Sequence, residues 1–462
     1  MVNRAGMERA EADLPITGLL AEQTCGLSSA SLPDWVQQLA KQCLLDWLAV
    51  TVAGAREPLV EILLQEIQGQ GGKPEASLIG QGGKVATQQA ALLNGAASHA
   101  LDYDDVHMHL SGHPTVTIVP GLLALAESRG ASGADFIAAF VAGYEVACRI
   151  GAAVAPGHYA RGFHSTATVG SFASAAACGR LLGLDARQMA AAFGIAGTQA
   201  AGLKSMFGTM CKPLHAGKAA QNGLFAASLA ARGFTSRDDV LECAQGFAAT
   251  QTDSYKPRSA LAEPKDGFHI RANLFKYHAA CYLTHAAIEC GRRLRDQHHL
   301  DADAITAVTL KIDSGADKVC NIPTPRTGLE AKFSLRLTSA FALAGVDTAG
   351  LDNYSDAMAA DPNLVALRDK VRVELMPDWS TTVTEMRVDL ADGRSLATRH
   401  DSGIPAADLD EQGRRVEAKF HSLADPILGR ARAERLAALV ADLEHLPNLA
   451  GLVRECLPAA NA

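Results

Sequence analysis

The sequence predicts a mainly α protein, in which both chain ends form one all-helical domain and an α+β domain is inserted between them. Three observations lead there. Apolar residues recur near a 3.6-residue period through most of the chain up to Pro264. Alternating β-branched runs begin beyond that proline. Helical periodicity returns after Gly403. The expected division is residues 1–267 plus 404–462 for the helical domain and 268–403 for the α+β domain.

The elements follow in order. Residues 1–30 read as a loose lead-in. Pro33 opens a helix whose apolar positions Trp35, Val36, Leu39, Cys43, Leu44, Trp47 and Leu48 share a face, with Gly54 as its stop. A short amphipathic helix spans Leu59–Ile67. Further helices are expected at Gln88–Ala100, Val119–Ser128, Gly133–Val154, Ser165–Leu182, Ala186–Gly197 and Gly217–Arg232. Ser132 and Asp185 stand where N-caps belong. In the α+β part, Ala304–Asp313 and Lys370–Met376 alternate like strands. Thr384–His400 carries Asp392-Gly393 between two alternating arms, a hairpin signal. Helices at Thr284–Arg293 and Lys332–Leu343 lie between the strands, and Asp408–His421 and Ala431–His445 close the chain.

Composition narrows the function. Of 462 residues, 48% are hydrophobic and 20% charged, an ordinary globular balance. Aromatics are only 5% while Ala and Gly abound, which points to helices whose small side chains let backbones approach. The net charge of −8 and the lack of a Lys/Arg-rich run argue against nucleic acid, but a locally basic pocket for an anion remains open. The ten cysteines show no C-x-x-C spacing, so reduced thiols in a cytoplasmic protein are expected, without a cysteine-only metal site. No signal peptide and no membrane span are expected.

The chemistry concentrates in Asn94–Pro120. Three carboxylates (Asp102, Asp104, Asp105) and four imidazoles (His99, His107, His109, His113) fall within fifteen residues, flanked by apolar sequence. A buried segment tolerates such groups only when they are paired or functional. On a helix or its frayed end, residues 102 and 105 would share a face and 104 would look elsewhere. A solvated acidic helix end is the plainer reading. Asp and His are also metal ligands, though no HExxH-type spacing is present. Pro114 pushes His113 out of the helical region and stiffens its turn.

Other clusters lie downstream. Arg161 and His164 precede a small-residue helix whose N-terminus could seat a carboxylate, with simple capping by Ser165 as the alternative. Lys212 is fixed before Pro213 in apolar surroundings, and His215 follows. Lys276, Tyr277, His278, Tyr282 and His285 crowd the junction, as a pocket wall or as polar stitching. No nucleophile elbow, dinucleotide fingerprint or P-loop appears, so acid–base chemistry without a cofactor suits what remains.

Taken in order, NGAASHALDYDD, GHP, GFHSTATVG, KPLHAGKAAQNG, Thr284-His285, AKFSL at 331–335 and EAKF at 417–420 resemble the MmgE/PrpD family over nearly the whole chain. That family includes 2-methylcitrate dehydratase, cis-aconitate decarboxylase and iminodisuccinate epimerase. The resemblance implies a homodimer in which the α+β domain is a lid on the helical one. By similarity to the decarboxylase branch, Asp102, His113, His164 and Lys212 match active-site positions. There are departures. Val106 stands for a threonine, and one extra residue lies between Asp102 and His113. Cys281 stands for a histidine (glutamate in the dehydratases), and Leu337, beside Arg336, stands for a tyrosine. His278 is the candidate replacement for the group lost at Cys281.

The expected function is a cofactor-free lyase acting on a small di- or tricarboxylic acid by proton transfer next to a carboxylate. Dehydration like that of 2-methylcitrate dehydratase stands first because the family name leans that way. Decarboxylation and epimerisation are the alternatives, and a metal-dependent binding protein is a further one. Lys212, with Arg161 or Arg336, would hold carboxylates. His164 would move the proton, Asp102 would orient it, and His113 would donate to the developing enolate.

Overall fold

The computed structural model describes residues 14–458. Its chain divides into two compact units, Met1–Phe275 with Ala407–Ala462, and Lys276–Ala406. These junctions lie a few residues beyond those expected at 267/268 and 403/404.

The first unit is helical. Its longer helices up to residue 230 are α1 (Ile16–Gly26), α2 (Asp34–Gly54), α3 (Pro58–Gln70), α4 (Thr87–His99), α5 (Thr115–Arg129), α6 (Gly133–Val154), α7 (Ser165–Leu181), α8 (Ala186–Gly197) and α9 (Cys211–Ala230), with a short antiparallel pair, Ala76–Ser77 and Lys84–Val85, between α3 and α4. The lead-in is thus not loose where it is described. α1 buries Ile16, Leu20 and Ala21, a stripe too short to stand out from its polar neighbours. The remainder of that expectation, residues 1–13, lies outside the described residues. Ser132 and Asp185 accept hydrogen bonds from the N–H groups of Asp135 and Gln188, capping α6 and α8 as their positions suggest. α6 is long and apolar enough to cross a membrane, yet 89% of its apolar window is buried inside the protein.

Helix α9 packs along α7 and α4, and α6 along α7. Small residues permit the close approach. A Cβ on Gly95 of α4 would stand 2.6 Å from Gly217 Cα of α9, and one on Gly143 of α6 would stand 2.6 Å from Ala173 O of α7. Helix α9 also starts earlier than expected, at Cys211. Pro213 falls in its first turn, where a missing N–H costs no helical bond. Lys212 and His215 therefore stand one turn apart on a helix.

The second unit contains α10 (His285–His298), β1 (Ile305–Asp313), α11 (Leu335–Ala344), α12 (Pro362–Asp369), β2 (Val371–Met376), β3 (Val383–Leu390) and β4 (Ser395–Asp401). The sheet order is β2-β1-β3-β4. β1 pairs parallel with β2 (Leu310 opposite Val373) and antiparallel with β3 (Leu310 opposite Met386). The β3–β4 hairpin turns at Asp392-Gly393, with Gly393 at φ 88°. α10 packs on β3 and β4, while α11 packs on α10 and β2. Leu310, Val308, Met386, Val388, Leu294 and Leu335 make the core between them.

The chain then returns to the first unit with α13 (Leu409–Leu428) and α14 (Arg430–Ala441). α13 lies along α2. The buried Lys419 ammonium of α13 meets Asp46 Oδ1 of α2 at 2.6 Å and also donates to Tyr103 O at 2.6 Å. That ties the EAKF segment to the backbone of the acidic stretch.

Candidate active site

The site grows from the end of α4. The helix stops at His99, and the next residues run irregularly, with Asp102 in the left-handed region at φ 51°. The helical face expected for 102 and 105 is therefore not formed. In this non-helical run Asp102 and Asp104 both turn to the histidines. Asp105 turns to the interior, where Thr115 Oγ1 donates to its Oδ2 at 2.6 Å. Burial pushes the Asp105 carboxyl up to about 8.

Asp104 is buried and bridges two imidazoles. His99 Nδ1 donates to its Oδ1 at 2.8 Å, and His113 Nδ1 lies 2.8 Å from its Oδ2. His113 Nδ1 also donates to Asp105 O at 2.9 Å. With only acceptors on that side, His113 carries its proton on Nδ1. Burial acts to raise the Asp104 carboxyl, but His113 and His99 more than offset it and hold it well below the usual range. Burial pushes His99 down to about 4, so the pair is an ionised carboxylate accepting from a neutral ring. The His113 N–H donates to Thr166 Oγ1 at 3.2 Å. The backbone comes this close because residue 112 is glycine: a Cβ there would stand 2.7 Å from that hydroxyl.

Asp102 faces the other side of the same ring. His113 Nε2 is 3.7 Å from Asp102 Oδ1, and Lys212 Nζ is 2.8 Å from the same oxygen. His164 stands at the N-cap position of α7, 2% exposed, and its N–H donates to Gly202 O at 3.0 Å. Its ring stacks on His99 at 6.2 Å, meets Phe207 edge-on at 4.9 Å, and places Nδ1 3.0 Å from His215 Nδ1. Burial, and then the Lys212 ammonium, hold His164 well below the usual histidine range. Lys212 Nζ is 5.5 Å from the Phe207 ring centroid.

Asp102, His113, His164 and Lys212 thus converge in one unit, joined by His99, Asp104 and His215. Arg161 does not join them: its guanidinium meets Asp253 at 3.2 Å and is 40% exposed. His278 and Arg336 belong to the second unit. His278 is buried with both ring nitrogens taken, Nδ1 by Thr348 Oγ1 at 2.8 Å and Nε2 by Glu289 Oε1 at 3.1 Å. Arg336 donates to Asn321 Oδ1. Cys281 and Leu337 are both buried. His107 and His109 leave the cluster as well. His107 Nε2 meets His269 O at 3.0 Å, in a separate group of rings with Tyr144.

One atom each from His99, Asp102, Asp104 and His113 lies within a 4.8 Å span, as a metal site would require. Asp102 already takes the Lys212 ammonium at 2.8 Å, so a dication there would have to displace Lys212 against its own charge.

The comparisons with known proteins agree with this picture. The profile of the MmgE/PrpD N-terminal domain matches residues 18–260, and that of the MmgE/PrpD C-terminal domain matches residues 278–445. The chain belongs to the MmgE/PrpD family. It is accordingly an MmgE/PrpD lyase acting on carboxylic acids. Human cis-aconitate decarboxylase is 29% identical over 451 residues, covering 93% of this chain and 92% of that protein. The Aspergillus terreus cis-aconitate decarboxylase is 26% identical over 95% of each chain. A cis-aconitate decarboxylase-like protein of Aspergillus oryzae is 34% identical over 61% of each. These relatives favour decarboxylation over the dehydration that the family name had placed first.

Proposed function

We propose that this protein is a carboxy-lyase that decarboxylates a small unsaturated di- or tricarboxylic acid, with cis-aconitate as the first compound to test. Similarity to cis-aconitate decarboxylases over more than nine tenths of each chain carries the reading. The buried cluster supplies the groups the reaction needs. Lys212 holds a substrate carboxylate, with Asp102 fixing the ammonium at 2.8 Å. A second carboxylate loses carbon dioxide, and its electron pair spreads through the neighbouring double bond. His113 faces that developing charge, and His164 handles the proton that ends the reaction. The homodimer implied by the family resemblance is part of the proposal, checked by light scattering.

The test is proton and carbon NMR of candidate acids in deuterated buffer with the purified protein. Carbon dioxide release with one deuteron placed on carbon is expected. Water loss from 2-methylcitrate, or inversion at a carbon, without carbon dioxide would overturn the proposal in favour of the other family reactions.

A further inference from the structure

We propose that His215 is a relay that carries protons from solvent to His164, and that decarboxylation is the reaction that requires it. The inference rests on the decarboxylase reading above. Its geometric basis is the contact between the two rings. His164 is 2% exposed, and its Nδ1 lies 3.0 Å from His215 Nδ1. His215 is only partly buried. Two ring nitrogens at that distance share one proton, one donating and the other accepting. An imidazole takes a proton at one nitrogen and releases one from the other. The pair is therefore a two-ring chain whose inner member is closed to solvent and whose outer member is not.

The proton balance separates the family's reactions. Dehydration expels a proton and a hydroxide together as water. Epimerisation removes a proton and returns one. Neither draws a proton from the medium overall. In decarboxylation the bond to the carboxylate carbon breaks, the electron pair stays with the remaining carbon, carbon dioxide leaves and a new C–H bond forms. The sum is R–COO⁻ + H⁺ → R–H + CO₂, so every turnover consumes one proton. His164 holds none in reserve, since burial and Lys212 keep the resting ring neutral. Bound substrate carboxylates favour its protonated form and draw the proton inward. His215 is the polar contact on its Nδ1 side.

The fold holds the rings together. His164 N–H is anchored to Gly202 O at 3.0 Å, and Phe163 and Leu203 form a bridge on the same segment. Gly202, at φ 157°, passes against the outer ring: a Cβ there would lie 3.5 Å from His215 Cγ. A side chain at 202 would collide with Ala167 Cβ, so this segment would have to move.

The test uses His215→Ala, which removes the ring and leaves its space open to imidazole, and His215→Asn, which keeps a hydrogen-bond donor but cannot relay. Decarboxylation is followed with increasing imidazole in the buffer. In both variants kcat should fall at least ~10-fold, less than the ~100-fold or more of a group that itself meets the reacting carbon, with KM little changed. Imidazole should restore much of the loss, and the solvent deuterium isotope effect on kcat should rise. A purely structural hydrogen bond would give neither signature. Wild-type rates in both variants, or a loss that imidazole leaves untouched, overturns the relay while the decarboxylase reading stands. If wild-type protein releases no carbon dioxide from any acid, that reading fails first and the relay falls with it.

Discussion

Lys212 places its ammonium 2.8 Å from Asp102 Oδ1, and Asp102 meets it from left-handed backbone at φ 51°. The carboxylate is thus aimed by an uncommon conformation that Asn shares readily and Ala does not. Asp102→Asn should fold with near-normal stability yet lose activity, because the ammonium keeps its place without its counter-charge. Asp102→Ala should lose activity and also about 1 kcal/mol of stability. Thermal unfolding beside turnover separates the two effects. Equal stability of the variants would show that the backbone at 102 is unstrained.

Asp105 should leave a mark on stability as a function of pH. Its carboxyl is pushed from 3.8 up to about 8 by burial. Below pH 3.8 it is protonated in both folded and unfolded chains and contributes no difference. Between 3.8 and 8 the unfolded chain releases the proton and the folded chain keeps it, so stability falls as pH rises. Above 8 the loss is complete. Asp105→Asn removes the effect while leaving an acceptor for Thr115. Relative to the wild type the variant should therefore gain stability across that window, on the order of 5 kcal/mol at most. The burial of His99 acts in the opposite sense, costing stability as pH falls from 6.5 to 4, but it is common to both proteins and cancels. Urea unfolding at pH 5 and pH 8 measures the difference. A gap between the variants that stays constant with pH would show that Asp105 titrates normally.

Much of this architecture was legible in the sequence, for identifiable reasons. Periodicity marks α2, α6 and α8 because each has a wide apolar face and a cap or stop of its own. The Asp392-Gly393 hairpin was readable because its turn needs φ above zero at Gly393. Sequence missed the start of α9, since Pro213 looks like a breaker unless it is recognised as a first-turn residue. That error hid the pairing of Lys212 and His215 on one helical turn. It also missed the bridging role of Asp104. The end of α4 was expected within one residue, but the alternation that turns Asp102 and Asp104 together belongs to the non-helical backbone after it, whose course spacing does not give. Arg161 was singled out by its place before a helix N-terminus and His278 by its place near Cys281; their contacts with Asp253, and with Glu289 and Thr348, are tertiary and invisible to spacing.

Gly217 links packing to the site. It sits on α9 five residues after Lys212, where α9 crosses α4, and a Cβ there would run into Leu92 O and stand 3.0 Å from Ala96 N. Backbone cannot give way as a flexible side chain can, so α9 would have to move. Gly217→Ala should cost about 1–3 kcal/mol, the usual range for overpacking. It should also lower kcat, because Lys212 and His215 ride on the displaced helix. Activity and melting temperature measured on the same preparation test this. Normal turnover in a destabilised protein would show that the first turn of α9 is positioned independently of the crossing.

The final prediction concerns the ion pair between the chain ends. Lys419 and Asp46 are almost fully buried, 2.6 Å apart, on helices far apart in sequence. The lysine also donates to Tyr103 O and lies over the Tyr103 ring at 4.0 Å, next to Asp102 in the chain. Removing one member of a buried pair strands the other charge, and Lys419→Met should cost about 3–5 kcal/mol. Much of that cost is the abandoned carboxylate rather than the lost attraction. Adding Asp46→Asn to Lys419→Met should therefore recover part of the stability, giving a coupling of roughly 1–3 kcal/mol in the double-mutant cycle. Turnover should recover less than stability, because neither change restores the bond to Tyr103 O that steadies the segment carrying Asp102. Additive losses in the cycle would mean that the two residues act separately and that α13 is held to α2 by its other contacts, the Gln412–Gln42 hydrogen bond among them.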